Sequence, residues 1–200
     1  MKLLVTGNNN DIKNLLFACK YENMIREVVI YSPEGKISDP FFESYRFLYL
    51  EEEVKQFFKK ESTLFIASHQ DSLKRREMHE KLLKGGGFSI SLFSSESLIS
   101  RFNQISNHGV LIQVHCDISA DTILHDGVLI GMQSLIGHDV QIGAFTTIGI
   151  KSCLLGYVKI GESCQIEHGV TIMPNVNIGN NVYISSNQTI TKDIPDNIRI

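Results

Sequence analysis

His138 is followed directly by Asp139, and a carboxylate beside an imidazole is a pair that can move protons near neutral pH. An imidazole with its ordinary pKa near 6.5 suits the removal of a proton from an attacking amine or hydroxyl. A neighbouring carboxylate can hold the ring in one tautomer and stabilise the imidazolium that forms. By type alone such a histidine is either a solvated surface residue or a general base. A second cluster, Gly7-Asn8-Asn9-Asn10, follows a short apolar run, and Ser32-Pro33-Glu34-Gly35 follows another. Asn8, Asn9, Asn10 and Ser32 are either parts of scaffold turns or polar groups for a bound nucleotide or sugar. The loop has one Gly where a dinucleotide fingerprint needs three.

The elements that must carry these residues fall into two halves. Every sixth residue from Ile112 to Ile190 is Ile or Leu, fourteen in succession with no insertion. The residue four places after each is small or β-branched in thirteen of the fourteen cases, Gln188 being the exception. The residue directly after is Gly at positions 131, 137, 143, 149, 161 and 179. An α-helix scatters residues i and i+6 around its axis. A plain strand alternates with period two and does not single out every third inward site. A hexapeptide coil accounts for the pattern: each hexad is a short strand and a corner, and three hexads close a coil of about 18 residues. Ile or Leu fills the interior, the smaller residue sits inward near the corner, and Gly or another permissive residue is expected to relieve the turn.

Residues 18 apart then share a column. Gly156 and Pro174 follow His138, and Gly156 is a candidate oxyanion donor through its N–H. Ile150, His168 and Ser186 form another column on a different face. Two such faces from neighbouring copies of the chain could line one groove.

The first half alternates strands and helices. Strands are expected at Lys2–Thr6, Glu27–Tyr31, 63–67 and 88–93, and helices at 11–21, with Cys19 on the apolar face, Glu51–Lys60 and Ser72–Lys84. That order argues a small parallel α/β sheet whose ligand end lies beyond the strands' carboxyl ends, where both polar loops fall. The expected division is a Rossmann-like nucleotide- or sugar-binding domain over residues 1–107 and a left-handed parallel β-helix over residues 108–200. Residues 94–108 read as the link.

The runs IGHDVQIG (Ile136–Gly143), LLGYVKIG (Leu154–Gly161) and TKDIPDN (Thr191–Asn197), behind an α/β front domain, resemble the hexapeptide-repeat sugar acetyltransferases of the NeuD/PglD type. That family includes sialic acid O-acetyltransferases and N-acetyltransferases of UDP-linked amino sugars. The resemblance implies an acetyl-CoA-dependent homotrimer with active sites between neighbouring β-helices. It assigns catalysis to His138 with Asp139, and cofactor contacts to Thr147, Gly156, His168 and Ser186. It implies transfer to the amino group of a nucleotide-linked sugar in glycan or surface polysaccharide synthesis, with a sugar hydroxyl as the alternative acceptor. Ser32-Pro33 stands where the family often has an acid.

Composition bounds the other classes. The 200 residues are 42% apolar and 20% charged, with net charge −3. There is no general basic field for nucleic acid or anionic membrane. No apolar run reaches the roughly 18–20 residues of a membrane span. The first residues lack the apolar core of a signal peptide, so a cytoplasmic location is expected. The four cysteines show no Cys-x-x-Cys spacing, and free thiols are expected. No metal is expected: a zinc enzyme on this coil would need three histidines close together, and none lies near His138 in the chain. A non-catalytic scaffold is the remaining alternative.

Overall fold

The structure, a computed structural model, describes residues 2–18, 25–35 and 37–200. Its first part is a parallel sheet of β1 (Lys2–Thr6), β2 (Glu27–Tyr31), β3 (Arg46–Leu48), β4 (Leu64–Ala67) and β5 (Phe88–Ser89), in the order β3-β2-β1-β4-β5. Helices α1 (Asn9–Ala18), α2 (Glu51–Lys60) and α3 (Ser72–Lys84) connect the strands. Each start has a local cause. Asn8 accepts from the Asp11 N–H at 3.0 Å and Asp71 accepts from the Lys74 N–H at 2.8 Å, pairing amides that a helix leaves open. Glu53 accepts from the N–H of Leu50 at 2.9 Å, and α2 carries its glutamates in the first turn and lysines in the last. Cys19 and Tyr21, expected on the first helix, lie outside the described residues. Strand β3, a short edge strand, was not expected from the sequence.

The second part is a three-sided left-handed parallel β-helix of two-residue strands running from Leu92–Phe93 to Thr189–Ile190. From residue 111 onward each strand ends on one of the fourteen periodic Ile or Leu residues, and these are at most 7% exposed. Pairing is i to i+18, as in Ile118 with Ile136 and Ile136 with Leu154. Gln188, the exception in the small-residue series, is exposed.

Three expectations need correction. Residues 92–105 are not a strand and a link: Leu92–Phe93, Leu98–Ile99 and Gln104–Ile105 pair with the next coil and form the first turn of the β-helix. The coil therefore begins ahead of residue 108. The glycines after each Ile do not relieve the turns. Positive φ falls two residues later in each hexad from Ile112 to Ile184, on residues such as Asp139 (58°), Lys151 (57°), Tyr157 (63°) and Asn175 (63°). The glycines instead sit where coils touch: a Cβ on Gly131 would lie 2.7 Å from the backbone nitrogen of Ile150. The small inward residues also do more than fill space. Ser134 donates to the Gly149 carbonyl at 2.9 Å, Thr146 to Gly161 at 2.7 Å and the Cys164 thiol to Gly179 at 3.0 Å, which satisfies buried corner carbonyls. Burial pushes the Cys116 and Cys164 thiols up, so they remain protonated donors.

The domains share one apolar cluster, in which Leu3, Val5 and Ile12 meet Leu92, Leu111 and Leu129 of one β-helix face. Arg75 of α3, 0% exposed, crosses this junction. Its guanidinium donates to the carbonyls of Gly127 (2.8 Å), Phe145 (3.0 Å), His69 (2.6 Å) and Gln70 (3.2 Å) and to the Thr147 hydroxyl (2.8 Å). Burial pulls its pKa down to about 9, which leaves it charged at neutral pH.

Candidate active site

His138 and Asp139 occupy the corner between the face holding Leu135–Ile136 and the face holding Gln141–Ile142. The left-handed backbone of Asp139 turns its carboxylate back onto the ring, and Oδ2 lies 2.8 Å from His138 Nδ1. A carboxylate only accepts, so Nδ1 carries the hydrogen and Nε2 presents its lone pair. Tyr157 packs edge-on against the imidazole, with centroids 5.0 Å apart at 89°. The His138 side chain is 56% exposed.

Gly156 lies one coil further along, against the ring. A Cβ there would stand 2.8 Å from both Cε1 and Nε2, so only glycine leaves the approach to the base open. Its N–H has no partner among the described residues. Some equivalent corner amides are capped from the next coil, Ile150 N–H by His168 Nδ1 at 3.1 Å and Glu162 N–H by the Asn180 amide oxygen at 2.9 Å, whereas those of His138, Ala144 and His168 have no partner among the described residues. The residue that would cap Gly156 is Pro174, which has no side-chain acceptor. An available N–H thus lies next to an oriented base.

His168 and Ser186 stand together on a different corner, away from His138 within one chain. Because His168 Nδ1 accepts from Ile150, its Nε2 carries the hydrogen and faces outward. Thr147 corrects the expected cofactor set: it is 0% exposed, its hydroxyl donates to the Gln70 carbonyl at 2.8 Å and accepts from Arg75, and the front domain covers it. Repeat position alone could not show which face that domain covers.

At the carboxyl ends of β1, β2 and β4 lies a pocket of about 140 Å³. Asn8 and Ser32 line it, whereas Asn9 and Asn10 are exposed on the first turn of α1 and do not. Ser32 donates to the Gly35 carbonyl at 2.6 Å, fixing the second loop. Lining residues missed from the sequence include Asp11, His69, Asp71 and Lys74. Asp11 is 5% exposed, and burial raises its carboxyl even though it accepts from the Gln70 N–H. Burial pushes His69 down to about 4, and its Nδ1 has no partner among the described residues. Asp11, in the first turn of a helix behind a Gly loop, was a signal that could have been read. His69 had none.

The His69 shift has a pH consequence. The unfolded imidazole titrates near its ordinary value and the folded one near 4, so the unfolded state alone takes up the proton between these limits. Stability is intact above about pH 6.5 and is lost as pH falls towards 4, by about 2–3 kcal/mol from this group. Asp11 works in the opposite sense, since its raised carboxyl is relieved by acid. His69→Gln is expected to show a smaller drop in urea midpoint between pH 7 and pH 4.5 than wild type.

Stacked hexads with an inward Ile and a left-handed corner define the class: a left-handed parallel β-helix of hexapeptide repeats behind an α/β front domain. The family model "Bacterial transferase hexapeptide (six repeats)" matches residues 157–192. Among curated proteins nothing matches. The fold is similar over the whole chain to perosamine N-acetyltransferase from Caulobacter crescentus, solved as a mutant in complex with CoA and GDP-perosamine (TM-score 0.89, 17% identity, covering 100% of this chain and 92% of that one). It is similar to the acetyltransferase domain of PglB from Neisseria gonorrhoeae FA1090 in complex with acetyl coenzyme A (TM-score 0.88, 20% identity, 99% and 94%). It is also similar to WeeI from Acinetobacter baumannii AYE (TM-score 0.77, 14% identity, 100% and 96%). These likenesses bear out the expected two-part fold.

Proposed function

We propose that the chain is an acetyl-CoA-dependent acetyltransferase acting on the amino group of a nucleotide-linked sugar, working in the cytoplasm as a homotrimer. The observation that carries the reading is the oriented His138 imidazole beside the unpaired Gly156 N–H. The likeness to a perosamine N-acetyltransferase bound to CoA and GDP-perosamine favours nitrogen over oxygen as the acceptor.

Acetyl-CoA would supply an acyl group on a good thiolate leaving group. The His138 Nε2 takes the amine proton as nitrogen attacks the carbonyl carbon. Asp139 holds the Nδ1 hydrogen and stabilises the imidazolium. The Gly156 N–H receives the developing oxyanion, whose collapse expels the thiolate. Asn8, Ser32 and Asp11 hold the nucleoside of the acceptor.

The face between the His138 and His168 columns carries Leu98 (72% exposed) and Leu135 (41%) on either side of exposed Asp117, with Met173 (38%) at its edge. Such a strip suits burial against neighbouring copies, and would bring His168 and Ser186 of one chain towards His138 of another. Calorimetric titration with acetyl-CoA beside sedimentation velocity tests this. One site per chain on a trimer is the expected result; a monomer without measurable acetyl-CoA affinity would overturn it. Mass spectrometry of products from amino and hydroxyl acceptors distinguishes N- from O-transfer.

A further inference from the structure

Between α2 and α3 the front domain holds a cavity of about 260 Å³ that the proposed reaction does not use. Tyr31, the last residue of β2, lines it and is 1% exposed; its hydroxyl has no hydrogen-bond partner within 3.5 Å among the described residues and interacts only with the nearby Lys81 ammonium. A buried hydroxyl without a full hydrogen bond is costly, and a phenylalanine would give the same ring packing without that cost. Val54 and Leu82 supply apolar lining.

The charges around the cavity are unequal. Lys55, Lys81 and Lys84 line it against one carboxylate, Glu51. Lys81 pairs with Glu51 at 2.6 Å and its ammonium stands 6.0 Å from the centre of the Tyr31 ring. Lys55 reaches Glu52 at 3.6 Å, and Lys84 has no carboxylate within 4.0 Å among the described residues. The cavity thus offers a buried O–H donor, one ammonium unpaired among the described residues, on Lys84, beside two paired ones, and an apolar lining.

We infer that this cavity binds a small carboxylate with an apolar body, its oxygens taken by Tyr31 and the lysines and its body by Val54 and Leu82. A neutral molecule leaves the surplus charge unanswered, and a bare anion leaves the apolar lining empty. The cavity also adjoins the loop pocket. Tyr31 immediately precedes Ser32, and α3 gives Lys74 and Met78 to the loop pocket and Lys81 and Leu82 to this one. Occupancy therefore bears on the second loop, a coupling that rests on the acceptor reading above, whereas the binding itself does not.

The test is calorimetric titration of the full chain with benzoate, its neutral counterpart benzamide, and acetate, beside Tyr31→Phe and Lys84→Met. Benzoate is expected to bind saturably, with benzamide and acetate at least about tenfold weaker. Tyr31→Phe should weaken benzoate about tenfold or more while melting no lower than wild type without ligand. Lys84→Met, on an exposed residue, should weaken it several-fold in a folded protein. Absence of saturable benzoate binding, equal affinity for benzamide, or undiminished affinity in both variants would overturn the site. A benzoate-dependent change in acceptor KM is expected; an unchanged KM in an active enzyme would overturn the coupling.

Discussion

Replacing His138 with alanine is expected to lower turnover by about 10²–10⁴-fold, the usual contribution of a positioned general base. Stability should change by no more than about 0.5 kcal/mol, because the ring is more than half exposed and packs only edge-on against half-exposed Tyr157 and over Gly156. Acetyl-CoA affinity should be kept, since the loss lies in proton transfer. Gly156→Ala is the complementary variant. Its Cβ would stand 2.8 Å from the ring, so the imidazole must swing away and its Nε2 leave its place. A displacement of about 1 Å can cost about 10²-fold in rate. Steady-state kinetics beside thermal melts check both: slow, normally folded enzymes are expected. Full turnover by His138→Ala would remove the histidine from the mechanism.

Arg75→Ala is expected to be the most destabilising single change considered, at about 3–5 kcal/mol. Removing the guanidinium leaves the carbonyls of Gly127 and Phe145 on the β-helix, and that of His69 on the front domain, without this buried donor. Lysine cannot substitute, because one ammonium lacks the planar fork that reaches five acceptors at once. Arg75→Lys should therefore recover only part of the loss, and Arg75→Met should behave much like alanine. Because His69 and Gln70 flank the loop pocket, surviving protein should also show a raised acceptor KM. Urea unfolding measures the first effect. A loss below about 1 kcal/mol would mean that the junction is held by its apolar cluster alone.

The β-helix was legible because each hexad repeats one environment, so Ile112 to Ile190 report the same buried site in every corner and strand. Its first turn was not, because the step from Ile105 to Ile112 is seven residues and breaks the period that links Phe93, Ile99 and Ile105. The six glycines were visible, but their reason was misread: period shows that a position is special, not whether φ or the neighbouring coil makes it so. Of the candidate site, His138 and Asp139 could be named from the motif around them, and Gly156 from a spacing of 18 residues. Thr147 was misplaced because nothing local marks the face that α3 covers. Arg75 acquires its character from contacts across 50 or more residues, which no local pattern encodes.

The measurement closest to the central claim is thiol release from acetyl-CoA by the wild-type protein, offered a panel of UDP-, GDP- and dTDP-linked amino sugars beside sialic acids. The account predicts release with a nucleotide-linked amino sugar, at a rate proportional to enzyme and with an N-acetylated product. Release with none of the acceptors, together with no acetyl-CoA binding, would contradict it.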